Sequence, residues 1–295
     1  MSLKNLAIIG ASGFIGRNLL RALSSLNNQI VGTSSKSVEG LLEFDLRDPD
    51  IAQLLNSAPH LSTVIIAAGI TGIAACEQNP SETHRVNVDG ILSVAQQCAR
   101  KNIKTVVFSS DYVFDGALGC YTETSPTNPL NEYGKQRAEI EKKLPQICDK
   151  NYLIVRLSKL YDVQKSSQTL LTEIVQCLSN GKTIDAAYDQ FFCPTYVEDI
   201  VNILITLTTH HFNGLINVCA PEILTRYDVA KNVALRLGYD IHLIHPIQLS
   251  DLHEPFSRPK NTSMVCIKLN NLYTYDFATL NQCIDKIVLH YYNNL

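Results

Sequence analysis

Three stretches of the chain hold residues whose types and spacing could do chemistry. The first is Gly10-Ala-Ser-Gly13-Phe-Ile-Gly16, which follows the apolar run Leu6–Ile9 and opens the helical pattern Ile15–Leu26. In such a strand–turn–helix junction Gly10 permits the tight turn. Gly13 lets the backbone approach a diphosphate, and Gly16 lets the helix pack close to the sheet. The phosphates then meet unpaired amides and the positive end of the helix dipole. Ser12, Phe14 and Ile15 belong to the same turn and are read with it as dinucleotide-binding. The second stretch is Ser109-Ser-Asp-Tyr-Val-Phe-Asp-Gly116, at the end of the strand pattern Thr105–Ser109. The third is Tyr133-Gly-Lys-Gln-Arg137, inside the helical pattern Glu132–Leu144. Tyr133, Arg137, Ile140 and Leu144 share one helix face, whereas Lys135 points roughly 200° away.

The second strand, Gln29–Gly32, runs into Thr33, Ser34, Ser35 and Lys36. A site for NAD usually places Asp or Glu there to bind the ribose 2′-hydroxyl. No acid stands there, and Arg17 lies one position past the glycine turn. Hydroxyls with a cation suit a 2′-phosphate, so NADP is expected over NAD. Asp45 and Leu46 follow a third strand, Leu41–Phe44, and two readings stay open. They flank the adenine, with Asp45 accepting from its amino group, or Asp45 caps the helix that starts near Asp50.

Positioning these residues requires alternating strands and helices. Strands are expected at Leu6–Ile9, Gln29–Gly32, Leu41–Phe44, Thr63–Ala67, Thr105–Ser109 and Tyr152–Leu157, with helices at Ile15–Leu26, Asp50–Leu55, Ser81–Arg100 and Glu132–Leu144. This is the pattern of an α/β protein with a doubly wound parallel sheet, right-handed crossovers and a ligand at the carboxyl ends of the strands. The second half is less regular: helices at Leu170–Leu178, Tyr196–Leu207, Tyr227–Leu237 and Leu280–Tyr292, and a strand at Leu215–Val218. The expected division is a Rossmann domain over 1–160 with about 190–222, and a smaller C-terminal substrate domain over 161–189 and 223–295.

Composition narrows the class. The chain has 295 residues, 45% hydrophobic and 18% charged, a globular balance. A net charge of −3 without a long basic run argues against nucleic acid as a partner. Nine cysteines, an odd number with no CxxC, read as buried hydrophobes in a reducing compartment rather than as disulfides or a metal site. His242 and His245 fall in a strand pattern that sends them to opposite faces. No apolar run reaches the roughly 18–20 residues a bilayer crossing needs, and Leu6–Ile9 reads as a first strand rather than a signal segment. A cytoplasmic protein is expected.

With these motifs in view the chain resembles the extended short-chain dehydrogenase/reductases, and within them the dTDP-4-dehydrorhamnose reductase family. The resemblance is carried by Gly10–Gly16, Ala67-Ala-Gly69, Asn87, Ser109–Gly116, the stretch Tyr121–Gly134 with its Asn-Pro-Leu-Asn, Asp189-Gln190 with Pro194-Thr195, and Arg258-Pro259. It implies that Tyr133 donates a proton to a substrate ketone, that Ser110 hydrogen-bonds the carbonyl oxygen, and that hydride comes from the nicotinamide. It adds Ala67, Ala68, Gly69, Tyr133 and Arg137 to the cofactor contacts, and Asp111, Val113, Phe114, Gln190 and Arg258 to those of a nucleotide-activated 4-keto-6-deoxy sugar. Glu77 is given no role. A homodimer is the assembly kept in view.

The family's lysine, four residues after the tyrosine, is here Arg137. Arginine keeps the charge that favours tyrosinate and can donate to ribose hydroxyls. Its planar fork is bulkier and releases no proton. Either retuned hydride transfer or binding without turnover is expected. The regulatory subunit of methionine adenosyltransferase, which resembles this family, is the precedent for the second: a dinucleotide-binding protein that acts on a partner. An NAD-retaining epimerase is a third reading, opposed by the missing acid after the second strand. Dehydratases of this fold carry Asp-Glu after the strand-end hydroxyl, whereas Asp111 is followed by Tyr112, so elimination lacks its usual acid.

Overall fold

A computed structural model describes residues 5–25 and 30–292, without the side chains of the last three. Leu6–Ile9 (β1), Ile30–Ser34 (β2), Leu42–Glu43 (β3), Thr63–Ile66 (β4), Lys104–Ser110 (β5), Tyr152–Leu157 (β6) and the strand Gly214–Val218 form one sheet. Its order is Gly214–Val218, β6, β5, β4, β1, β2, β3. β1 pairs in parallel with both β2 and β4, β4 with β5, and β2 with β3. The winding reverses between β1 and β4, which is where such sheets hold their ligands. This is the expected Rossmann-like α/β architecture.

Period-2 alternation along the strands feeds the core. Ala7 and Ile9, Val64 and Ile66, Val107 and Ile154 share one buried cluster with residues of helices Ala52–Ser57 (α2), Ile91–Arg100 (α5) and Glu132–Cys148 (α6). Helix Phe14–Ser24 (α1) buries Gly16, Asn18, Leu19 and Leu23, the stripe its 3.6-residue period lays down. β2 begins at Ile30 and runs two residues past its expected end, so Ser34 is a buried strand residue; Gln29 and Leu26 lie outside the described residues. The helix expected over Ser81–Arg100 is interrupted. Between Ile73–Gln78 (α3) with Pro80–His84 (α4) and α5, residues Arg85–Gly90 form a π-turn. α6 continues to Cys148 through Pro145. The strand expected across His242 is instead a 3₁₀ turn at Ile241–Leu243, with strand only from Ile244 to Ile247. Both histidines are exposed.

The chain divides into two compact units: 1–113, 127–156 and 201–216 in the first; 114–126, 157–200 and 217–295 in the second. The sequence pattern alone places 114–126 with the sheet. In the structure Tyr121 bridges to Met264, and the buried Asn217 side chain donates to the carbonyls of Tyr121 and Val265, which fastens that segment to the second unit. The second unit also holds helices Leu170–Ser179, Arg226–Leu237 and Leu280–Tyr292 and three short strand pairs. Seven of the nine cysteines are buried, and burial pushes the thiol of Cys98 up to about 12 and that of Cys283 up to about 11, as inert core thiols behave. No helix among the described residues is long and apolar enough to cross a membrane.

Lys104 starts β5, at the opposite end from Ser110. It is 6% exposed, its Nζ donates to the Phe212 carbonyl at 2.5 Å, and burial pushes its ammonium from 10.5 down to about 8. Between those two values the unfolded chain binds more protons than the folded one, so this residue's contribution to stability rises with pH across that window. At pH 7 the charged form carries its burial cost. Lys104→Met is therefore expected to raise stability at pH 7 by about 1–3 kcal/mol, a gain that fades by pH 10.5. Thermal melts at both pH values check it.

Candidate active site

The carboxyl ends of β1 to β4 enclose a cleft of about 270 Å³ lined by Gly10, Ser12, Gly13, Ser35, Phe44, Asp45, Leu46, Arg47, Ala67, Ala68, Gly69, Ile70 and Val86. Gly10 sits at φ +86, where a side chain is strained, and an added Cβ would lie 2.7 Å from the Ala68 nitrogen. A Cβ on Gly16 would lie 2.1 Å from the Gly10 carbonyl oxygen, so helix and turn are in contact there. The turn is fastened to β2: Ala11 N–H donates to the Thr33 carbonyl at 2.7 Å, Gly10 N–H to Thr33 Oγ1 at 3.3 Å, and Ser12 Oγ to Ser34 Oγ at 3.1 Å. Ser34 also accepts from Lys36 N–H, so of the three expected polar contacts Ser35 is the one that lines the cleft. Lys36 is exposed; Phe14 and Ile15 are half-buried at the helix start, with the Arg17 guanidinium over the Phe14 ring at 5.5 Å.

Asp45 lines the cleft and does not cap the next helix, since Asp50 Oδ1 takes the Ala52 N–H at 2.9 Å. That settles one of its two readings. Its carboxylate accepts the Arg47 backbone N–H at 2.8 Å and pairs with the Arg47 guanidinium, which also binds Glu82 at 2.7 Å. Arg47, Ile70 and Val86 line the cleft although no pattern in the sequence singles them out. Their presence there depends on which segments meet.

Ser110 ends β5, 8% exposed; its Oγ donates to Asp111 Oδ1 at 3.0 Å and accepts Tyr112 N–H at 3.2 Å. The Tyr112 ring stands edge-on to the Tyr133 ring at 6.3 Å, so Ser110 and Tyr133 converge on Tyr112. On α6 the guanidinium of Arg137 lies 5.1 Å from the centre of the Tyr133 ring. Arg137 is 5% exposed, donates one long bond of 3.4 Å to the Phe108 carbonyl, and leaves Nε without a partner among the described residues. Gly69, at φ +153, is open toward it: a Cβ there would lie 2.9 Å from Arg137 Nη2. A buried cation with donors to spare is costly unless something accepts them. A buried guanidinium with an unpartnered Nε, next to the cleft-wall glycine Gly69, fits a bound dinucleotide whose ribose hydroxyls would accept.

Around this cluster runs a buried polar frame. The Asn87 amide, inside the π-turn, donates to the Ile70 carbonyl and to Gln136 Oε1, both at 2.8 Å, and Ile70 N–H donates back to Asn87 Oδ1 at 2.7 Å. Such turns recur at functional sites. Glu141 of α6 takes Ser109 Oγ at 2.6 Å and pairs with the buried Arg156 of β6, which fixes the helix to the strand ends.

Val113 and Phe114 correct the sequence reading. Both are fully buried, and Phe114 stacks on Tyr121 with ring centres 4.1 Å apart, so they support the fold and offer no surface to a substrate. Asp111 is buried beneath Ser110. Gln190 and Arg258 belong to the second unit. Gln190 Oε1 accepts from Arg226 Nε at 2.9 Å, and Arg258 is held through Nε and Nη2 by Glu254. No cluster of three or more metal-ligating side chains occurs among the described residues.

Known proteins share this fold. The family described as RmlD substrate binding domain matches residues 4–293. The dTDP-4-keto-6-deoxy-D-glucose reductase of Streptomyces niveus is 26% identical over 256 residues, covering 86% of each chain. Methionine adenosyltransferase 2 subunit beta of Bos taurus is 25% identical over 283 residues, 91% of this chain and 82% of that one. A dTDP-4-dehydrorhamnose reductase from Bacillus anthracis, solved in complex with NADP, superposes with a TM-score of 0.86 over 97% of this chain and 99% of its own, at 21% identity. Its fold is this fold. From one end to the other, the chain belongs to the RmlD substrate-binding-domain family.

Proposed function

We propose that the protein is an NADP-dependent reductase of a nucleotide-activated 4-keto-6-deoxy sugar. The observation that carries the reading is the buried Arg137 guanidinium beside the Tyr133 ring, its Nε without a partner among the described residues, next to Gly69 in the wall of the cleft at the carboxyl ends of β1 to β4. A bound reduced nicotinamide supplies hydride to the carbonyl carbon. Tyr133 supplies the proton to the carbonyl oxygen, so that one C–H and one O–H bond form as the C=O double bond becomes single. Ser110 turns its hydroxyl hydrogen from Asp111 to that oxygen as charge gathers on it. Arg137 fixes the ribose and keeps its positive charge beside the Tyr133 ring. It releases no proton itself, so Tyr133 regains its proton from solvent. Ser35 at the cleft, with the exposed Lys36 next to it, the exposed Arg17 just past the glycine turn and no acid directly after β2, favours a 2′-phosphate over a free 2′-hydroxyl.

The assay is NADPH oxidation followed at the nicotinamide absorbance with a nucleotide-linked 4-keto-6-deoxy sugar. Turnover that prefers NADPH to NADH is the expected result; preference for NADH would refute the cofactor reading. A second reading, a dinucleotide-binding protein that does no chemistry of its own, draws support from Arg137 in place of lysine and from the likeness to methionine adenosyltransferase 2 subunit beta. It would be favoured by tight NADPH binding with no oxidation of any such sugar.

A further inference from the structure

We infer that Glu77 is a positioning residue for Tyr133. Glu77 stands on the last turn of α3, and its Oε1 accepts the backbone N–H of Glu132 at 2.8 Å. Glu132 is the first residue of α6, and Tyr133 is the second. A helix begins with four amides that lack intrahelical partners, and its first turn frays unless side chains take them. Here Asn131 takes one, its Oδ1 accepting Gly134 N–H at 2.9 Å, and Glu77 takes another from outside the helix. The two acceptors differ in what they fix. Asn131 closes the turn upon itself, whereas Glu77 ties it to α3.

α3 also reaches the cleft wall. Cys76, next to Glu77 and fully buried, directs its Sγ at the Ile70 carbonyl at 3.5 Å, and Ile70 is held by Asn87. One short helix thus joins the wall on which the dinucleotide rests to the turn that carries the proton donor. Proton transfer depends on that separation to within a fraction of an ångström, and a shift of 1 Å can cost about 10²-fold in rate. The charged and titratable groups around Tyr133 are Arg137 beneath its ring, Glu132 beside it and paired with Lys135, Tyr112 across from it, and Glu77 and Cys76 from α3. Glu77 acts through the amide it holds.

The inference rests on the reductase reading, and its test separates the two. Wild type, Glu77→Ala and Glu77→Gln are compared by NADP⁺ affinity, by kcat and KM for the sugar, and by hydrogen exchange of the 131–134 amides. The alanine variant is expected to keep NADP⁺ affinity within about twofold, to lose about tenfold or more in kcat with a smaller change in KM, and to exchange the Glu132 amide faster. Glutamine keeps an acceptor oxygen and is expected to restore kcat to within about threefold of wild type. Wild-type kcat in Glu77→Ala overturns the inference. So does a kcat loss matched by lost NADP⁺ binding, or equal damage in both variants. If the wild type binds NADP⁺ yet turns over no sugar, the reductase reading falls. The exchange comparison then still decides the clamp, and unchanged exchange in Glu77→Ala overturns it.

Discussion

Tyr133→Phe is expected to lower kcat by about 10²–10⁴-fold while NADP⁺ affinity stays within about twofold. The substitution deletes one hydroxyl and leaves the ring. The ring itself is fixed by contacts that phenylalanine reproduces: the edge of Tyr112 at 6.3 Å and the guanidinium of Arg137 at 5.1 Å. The cleft is lined by residues at the ends of β1 to β4 and by Val86 of the π-turn, none of them on α6, so its shape does not depend on the phenol. What is lost is the donated proton. Without it the carbonyl oxygen must take its proton from water against a full negative charge, with the Ser110 hydroxyl still there to bond that oxygen. Stopped-flow absorbance gives kcat and fluorescence titration gives the affinity. Residual turnover within tenfold of wild type would show that another group protonates the oxygen. Asp111, buried and in contact with Ser110, would then be the residue to replace next.

The parts of this site that sequence can show are those fixed by local geometry. A glycine turn between a strand and a helix has few other conformations, so the spacing of Gly10, Gly13 and Gly16 is enough to place them. The α6 face is equally legible, because 3.6 residues per turn bring Tyr133 and Arg137 together whatever surrounds them. Contacts made by distant segments are not. Arg47 reaches Glu82 and Glu77 reaches Glu132 only after α3, α4 and α6 have packed, and nothing in the local spacing of these acids distinguishes them from a solvated helix face. The π-turn at Arg85–Gly90 is hidden for another reason. One extra residue in a turn barely alters a hydrophobic period, yet it aims Asn87 at the Gly69–Ile70 wall. Val113 and Phe114 show the opposite error. Their neighbours carry the chemistry, and a motif read as a block assigns its core residues the same role.

Arg137 tests the site from the side of stability. It is 5% exposed, has no carboxylate partner among the described residues, and makes one 3.4 Å bond to a carbonyl with its Nε unsatisfied. A charge removed from water and left this poorly paired destabilises the unliganded protein. Exchanging buried ions for apolar groups of similar volume is often neutral or stabilising by about 1–4 kcal/mol. Arg137→Met, which fills much of the same space without charge, is therefore expected to melt no lower than wild type in the absence of ligand, and to gain about 1–2 kcal/mol if it repacks fully. The same variant should bind NADP⁺ about 10–100-fold more weakly, because charge-assisted hydrogen bonds to the ligand are worth about 1.5–3 kcal/mol. Stability held or gained against affinity lost distinguishes a group kept for a ligand from one kept for the fold, which would lose both. Arg137→Lys completes the set. An ammonium at this depth keeps the charge and can bond ribose, so turnover within about tenfold of wild type is expected. A reaction seen in Arg137→Lys and absent from wild type would mean that the arginine switches the chemistry off, and the protein would then be a dinucleotide-binding relative of reductases rather than a reductase. Melting curves with and without NADP⁺, run beside the assay on the three proteins, decide between these outcomes.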